Sequence, residues 1–229
     1  MQKGRAVGGG KIFIQAMTAT SCKHFFQLVL ASTSPRRSEL LAGLGCRFRV
    51  KPPRFGEMLL EKRQSAAELS RSLPIIALAK ALDVARRCGP GDLIIGADTV
   101  IHFRGAVLGK PRDVEDARSI LSKLSGNMHR VFTSVAVASC EGKFLLASEQ
   151  TEVRFRKLSA EEIDAYIATG EPMDKAGAYG IQSLGGLFVS SITGRYDNVV
   201  GLPLNRVDEL LRGFGCDLYS CRNVEKLSG

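Results

Sequence analysis

A chain of 229 residues and 24.8 kDa, 45% hydrophobic and 24% charged, can build one α/β domain or two lobes, and no apolar run nears the ~20 residues of a membrane span. A net charge of +9 and a pI near 9.5 raise the idea of a nucleic-acid partner. Aromatics at 7%, the absence of Trp, and the lack of any arginine-rich helix or aromatic-laced strand argue against sequence-specific recognition.

Residues 1–27 carry Lys3, Arg5, Lys11 and Lys23 without an acid, and so supply four of the nine net charges. They lack the roughly 7–15-residue apolar core of a secretory signal. The segment reads as a disordered extension, with a weak organelle-targeting presequence, or a start at Met17, as alternatives. Leu28–Ala31 reads as a short buried strand. It runs through Ser32-Thr33-Ser34 into a helix with Ser34 as N-cap and Pro35 in first position, ending at Gly43/Gly45. Arg36 and Arg37 come next in that first turn, where two cations oppose the helix macrodipole. Either they are solvated, or they join free amides and hydroxyls in a phosphate cradle.

Arg47–Lys51 reads as a strand stopped by Pro52-Pro53. Ser65 and Glu68 form a capping box, and Pro74 predicts a kink or two short helices, the second carrying Lys80 and closing near Gly89-Pro90-Gly91. Asp92–Ala97 reads as a strand buried on both faces, and Val100–Phe103 with Gly105–Leu108 as a small hairpin. Asp113 caps a helix with Val114, Ala117, Ile120, Leu121 and Leu124 at helical spacing. Val131–Ser139 reads as a strand, Lys143–Phe155 as two more bent near Gln150, and Ser159/Glu162 as a capping box for a helix ending at Gly170. A Gly-rich stretch (176–188), a strand near Phe188–Ile192 and a helix near 204–213 close the pattern.

Six cysteines without a C-x-x-C pair and three scattered histidines give no structural zinc pattern. Reduced thiols in a reducing compartment are the simplest reading. Asp98 follows a buried strand, and ligands gather at the carboxyl ends of such strands. That suits a metal ligand or general base; a turn aspartate is the bland alternative. Gly105-x3-Gly109-Lys110-Pro111 is not a Walker A motif, although Lys110 can still neutralise phosphate as a point charge. Lys80 lies in an apolar helical run, so it either snorkels to solvent or meets a partner. His129 has no companion ligand and reads as structural. Gln182, offering both donor and acceptor, is suited to a base edge.

The segments LVLASTSPRRSELL, IALAKA around Lys80, IIGADTVI, LGKPRD, LSGNMHRVFTSVAV, TEVRF, DKAGAYGIQ and GRYDNVVGLPL resemble, in this order, the Maf-type nucleotide pyrophosphatases over about residues 28–212. The resemblance implies an α/β fold like that of inosine triphosphate pyrophosphatases: a mixed twisted sheet flanked by helices, with two lobes around a central cleft. It implies hydrolysis of nucleoside triphosphates to monophosphate and pyrophosphate, with Asp98 as catalytic carboxylate. Ser32, Arg36, Arg37, Lys80 and Lys110 fall at phosphate-contacting positions. A divalent cation, Mg²⁺ or Mn²⁺, would be held by Asp98 and Glu57. Arg36, Thr99 and Gln182 resemble the branch acting on dTTP and UTP; the sister branch favours 7-methyl-GTP.

The expected organisation is a basic extension (1–27), a catalytic domain (28–215) and a tail (216–229). The expected setting is the cytoplasm, with a nucleoside triphosphate as partner, no specific nucleic acid, no membrane, and a homodimer as one assembly. A 7-methyl-GTP pyrophosphatase, a non-catalytic nucleotide-binding module and a polyanion binder are the rival readings.

Overall fold

In a computed structural model, residues 26–54 and 63–222 are described. The expected metal ligand Glu57, and the extension up to residue 25, lie outside the described residues. Strands β1 (Gln27–Ala31), β2 (Phe48–Val50), β3 (Asp92–Phe103), β4 (Ala106–Leu108), β5 (Met128–Ser139), β6 (Phe144–Phe155) and β7 (Val189–Thr193) form one mixed sheet. The spatial order is β2-β1-β3-β5-β6-β7, with β4 paired to β3. Around it lie helices α1 (Pro35–Gly43), α2 (Ala66–Ala85), α3 (Val114–Leu124), α4 (Ala160–Ala168), α5 (Tyr196–Val200) and α6 (Leu204–Arg212). Three short 3₁₀ turns fill the Gly-rich stretch between Glu171 and Phe188.

β1 is parallel to β2 and β3, and pairs with β3 from Gln27↔Asp92 to Ala31↔Gly96. There β1 ends, while β3 continues another seven residues against β4 and β5. The hairpin expected at 100–108 forms, pairing Ile101↔Leu108, His102↔Val107 and Phe103↔Ala106, but its first arm is the distal end of one long strand rather than a new one. The segment reads as two because Gly96, Asp98 and Thr99 interrupt its apolar run. The bend expected near Gln150 is likewise absent: β6 is unbroken for 12 residues, and its irregularity falls at Arg154/Phe155, where it pairs with β7.

Two capping boxes form as the sequence spacing predicts, Ser65/Glu68 on α2 and Ser159/Glu162 on α4, and Asp113 caps α3 through the Asp116 amide. Pro74 does not divide α2, which is assigned as one 20-residue helix. Proline removes the partner of the carbonyl four residues back, here that of Ser70. Ser70 is exposed, so water can take that bond, while Leu69, Leu73, Ile76 and Ala77 stay buried on the other side.

Opposite faces of β3 meet different helices. Ile94, Gly96, Asp98 and Val100 alternate onto the side covered by α2, whose Ala77, Ala81 and Val84 pack with Ile94 and whose Leu69 and Leu73 pack with Val100. On the other face, Leu93, Ile95 and Ala97 join Leu41 of α1 and Val207, Leu210 and Leu211 of α6. Further along, Ile101 and Phe103 join a separate core with Leu121, Leu124, Ile163, Tyr166 and Phe188. These two cores on one face make the two lobes, and the cleft lies between them and along the β3 edge over 97–100, which neither β1 nor β4 covers. The proximal core also takes in Leu218, so residues assigned to the tail as far as Arg222 fold back on the body.

Candidate active site

The cleft is a cavity of about 480 Å³ lined by Ser32–Arg37 after β1, by Lys80, Asp98 and Thr99, by Lys110 after β4, and by Asp174–Gln182 from the distal lobe. All eight described residues expected at the site line it: Ser32, Arg36, Arg37, Lys80, Asp98, Thr99, Lys110 and Gln182. The rule that ligands bind at strand carboxyl ends applies here to β1. Asp98 itself lies mid-strand on β3, exposed to the cavity because its neighbour β1 has stopped two residues earlier in register.

Lys80 of α2 forms an ion pair with Asp98 Oδ1, and its ammonium also lies 3.5 Å from the Ala97 carbonyl oxygen. Their side chains are only 12% and 19% exposed, so the ion pair belongs to the cavity wall. This explains a lysine in an apolar helical run. The approach of α2 that permits it depends on Gly96. A Cβ there would collide with the Ala77 carbonyl and stand 2.8 Å from the Ala81 nitrogen.

Arg36 and Arg37, adjacent in sequence, have different surroundings. Arg37 is 9% exposed. Its Nε donates to the Gly201 carbonyl (2.7 Å), Nη1 to Ala97 O (3.0 Å) and Ser32 Oγ (3.2 Å), and Nη2 to Thr99 Oγ1 (3.0 Å). Its guanidinium thus binds protein acceptors in this structure, tying α1 and β1 to β3 and to the turn after α5. Arg36 stays on the cavity side, 3.5 Å from Asp174 Oδ2 across the cleft. Ser34 is the N-cap residue of α1, but its side chain makes no capping bond; its amide instead donates to Ser32 Oγ (3.1 Å).

Asp174 and Lys175 were not singled out from sequence. Lys175 Nζ donates to Asp174 Oδ1 (2.6 Å) and to the Glu171 carbonyl (2.7 Å). Burial pushes the Asp174 carboxyl up, but the Lys175 hydrogen bond and charge, with Arg36 beyond, more than offset this and hold it below its ordinary value. The signal available was the DKAGAYGIQ segment, in which two charged residues precede a run of small ones. The Gly109 carbonyl accepts from the Gly177 amide (2.9 Å), which fastens the Lys110 loop to the same segment.

A buried polar layer backs the cavity. Thr133 donates to the Asn198 carbonyl (3.0 Å) and lies 3.0 Å from Thr99 Oγ1. Asn198 Nδ2 donates to Val131 O (3.1 Å) and Thr151 Oγ1 (3.0 Å). Asp197 accepts from Arg195 and from the Leu204 amide (2.9 Å), holding α5 and α6 together. Gly201 has φ of +120°, and a Cβ there would lie 3.3 Å from Thr99 Oγ1 and 3.5 Å from Arg37 Nε. Ile101, Val131, Tyr179, Ile181 and Val199 supply apolar wall, and Gln182 lies exposed at the rim. His129 is outside the cavity lining; buried, it pairs through Nε2 with the Tyr179 hydroxyl (2.9 Å).

Residues 27–214 match the family model described as Maf-like protein. A dTTP/UTP pyrophosphatase of Moorella thermoacetica is 49% identical over 195 residues, covering 84% of this chain and 97% of the relative. One of Symbiobacterium thermophilum is 47% identical over 194 residues, covering 85% and 97%. A nucleoside-triphosphatase / dITP/XTP pyrophosphatase structure from Mycobacterium abscessus overlaps more loosely, with a TM-score of 0.39 at 14% identity, covering 57% of this chain and 74% of that one. With the family pattern spanning both lobes and relatives matched over nearly their whole length, the chain belongs to the Maf-like protein family.

Proposed function

We propose that this chain hydrolyses dTTP and UTP to the monophosphate and pyrophosphate in the cleft. The observation that carries this reading is the Lys80–Asp98 ion pair inside a cavity lined by five basic and two acidic side chains. A triphosphate brings about four negative charges, and Arg36, Lys80, Lys110 and Lys175 are the cations on the wall whose charge can meet it. Arg37 contributes its positive field from behind while its donors hold the wall in place. The two relatives described above, both dTTP/UTP pyrophosphatases, support the substrate class.

In the reaction, a phosphate oxygen competes with Asp98 for Lys80. As Lys80 turns to the phosphate, the Asp98 carboxylate is left to accept a proton from the attacking water. The cations then stabilise the charge that collects on the departing pyrophosphate. The described residues fit a divalent ion only through few protein ligands: no group of three His, Cys, Asp or Glu is present among them, and Asp98 and Asp174 are the described carboxylates on the cavity wall. Mg²⁺ and Mn²⁺ suit one or two carboxylates plus substrate phosphate oxygens, so Asp98 would hold the ion, with Glu57 as the second ligand of this proposal. When bound, such an ion neutralises phosphate charge and polarises a phosphoryl oxygen.

The amide of Gln182 at the rim suits the alternating acceptors and donor of a pyrimidine edge, small Thr99 leaves room for it, and neither Arg36, Thr99 nor Gln182 supplies the aromatic or acidic side chain that a cationic methylated purine favours. The experiment is pyrophosphate release measured for dTTP, UTP, CTP, GTP and 7-methyl-GTP with Mg²⁺ or Mn²⁺. The expected result is dTTP and UTP ahead of CTP by at least ~10-fold in kcat/KM, because a wrong base edge leaves polar groups unpaired. A lead for 7-methyl-GTP would overturn the branch, and binding without turnover would overturn the enzyme.

A further inference from the structure

Away from the cleft, thiols gather where the last described turn folds back on the proximal lobe. Cys216 follows α6, and its amide donates to the Leu211 carbonyl (3.1 Å). Leu218 is buried in the proximal core, and its amide donates to Asp208 Oδ1 (2.8 Å). Asp217 and Ser220 close the turn between them, the Ser220 amide donating to Asp217 Oδ1 (2.7 Å). The Cys221 carbonyl accepts from the Arg47 amide (2.9 Å), and Arg222 bridges to Cys46. This framework holds both cysteine backbones, and it brings Cys216 Sγ and Cys221 Sγ to 3.3 Å as free thiols.

We propose that Cys216 and Cys221 are a redox modification site, forming a reversible internal disulfide by exchange with low-molecular-weight disulfides such as glutathione disulfide. Cys216 is the attacking sulfur. Its Sγ has two hydrogen-bonding neighbours, Cys221 Sγ at 3.3 Å and Ser220 Oγ at 3.8 Å, which draw its pKa down against the opposing effect of burial, while Cys221 is held in its protonated form. The Cys216 thiolate attacks one sulfur of the small disulfide and expels a thiolate, leaving a mixed disulfide. Cys221 then loses its proton to solvent and attacks Cys216 Sγ, expelling the second small thiolate. Two protein thiols are oxidised, one small disulfide is reduced to two thiols, and no other oxidant is consumed.

The remaining described cysteines differ. Cys46 is buried with its thiol on the Leu218 carbonyl, and Cys140 donates to the Gly89 carbonyl. Burial pushes the thiols of Cys46, Cys88 and Cys140 up, so these three are the slow ones.

The test uses the full chain in glutathione/glutathione disulfide buffers, with alkylation of remaining thiols and peptide mapping. In the unaltered protein, Cys216 and Cys221 should be recovered as one intramolecular crosslink, two hydrogens lighter and free of glutathione. Cys221→Ser should retain glutathione on Cys216. Cys216→Ser should slow modification of Cys221 by ~10-fold or more. Thermal midpoints of both variants, measured alongside, show whether each is folded. Should a serine variant not fold, the crosslink in the unaltered protein decides the question. Stable glutathione on Cys216 of the unaltered protein, crosslinks only between chains, or both thiols remaining open to alkylation at high glutathione disulfide would each overturn the proposal.

Discussion

Lys80 of α2 reaches Asp98 of β3 because Gly96, two residues before Asp98 on the same face of the strand, lets the helix lie directly on the sheet. Ala77 and Ala81 supply the matching small surface on the helix. One hydrogen atom in place of a methyl therefore links the packing of the core to the chemistry of the cleft.

Gly96→Ala should destabilise the protein by about 2 kcal/mol or more, since the added methyl meets helix backbone that has no rotamer to yield. Activity should fall further than stability does, because α2 can relieve the clash only by carrying Lys80 away from Asp98. Denaturant midpoints and pyrophosphate release on the same samples check both parts.

Asp98→Asn keeps the size of the side chain and removes its charge. Turnover should drop by ~10²-fold or more while the fold persists. Circular dichroism matching the parent, together with near-parent kcat, would remove Asp98 from the role of proton acceptor.

The two neighbouring arginines should separate cleanly. Arg37→Met removes the short donors to the Gly201 and Ala97 carbonyls, leaving them only the long contacts from Thr99 (3.4 Å) and Lys80 (3.5 Å), and should cost about 3 kcal/mol of stability. Arg36→Met loses one half-exposed ion pair to Asp174 and should change stability by less than about 1 kcal/mol. Its effect should appear in KM for the triphosphate instead. Thermal melts and steady-state kinetics of the two variants distinguish the cases.

Stability should fall in mild acid through His129. Burial lowers its pKa from 6.5 to about 4 in the folded protein. Between those values the unfolded chain binds the proton and the folded one does not, so stability is full above pH 6.5 and is lost as pH drops towards 4. The loss attributable to this residue is about 3 kcal/mol. In His129→Gln, the difference in unfolding free energy between pH 7 and pH 4 should shrink by about that amount.

Much of this arrangement was legible in the chain. Capping boxes at Ser65 and Ser159 mark helix starts through local chemistry, and the loop after β1 carries its own signals in Ser32, Ser34 and Pro35. The misread points share a cause. At Pro74, and at Asp98-Thr99 in β3, a local residue preference opposes structure that the tertiary packing sustains, with α2 pressed on the sheet and β5 paired all along β3. The two roles within Arg36-Arg37 could not be separated from sequence either. Which guanidinium is enclosed depends on Gly201, Ala97 and Thr99, contributed from up to 164 residues away.

The ten register pairs from Leu93↔Ser139 to His102↔Arg130 run unbroken past both cores. Domain closure of the hinge kind needs a few residues whose dihedrals can swing, and mid-strand residues held in a ladder have no such freedom. The two walls of the cleft are therefore fixed to a common beam, and admission of a nucleotide falls to side chains: Arg36 parting from Asp174, and Lys80 from Asp98. Rearrangements of that size belong to the fast end of protein motion, far quicker than lid opening. Slow release of product, where measured, would then report the grip of the cations on pyrophosphate rather than the opening of a door.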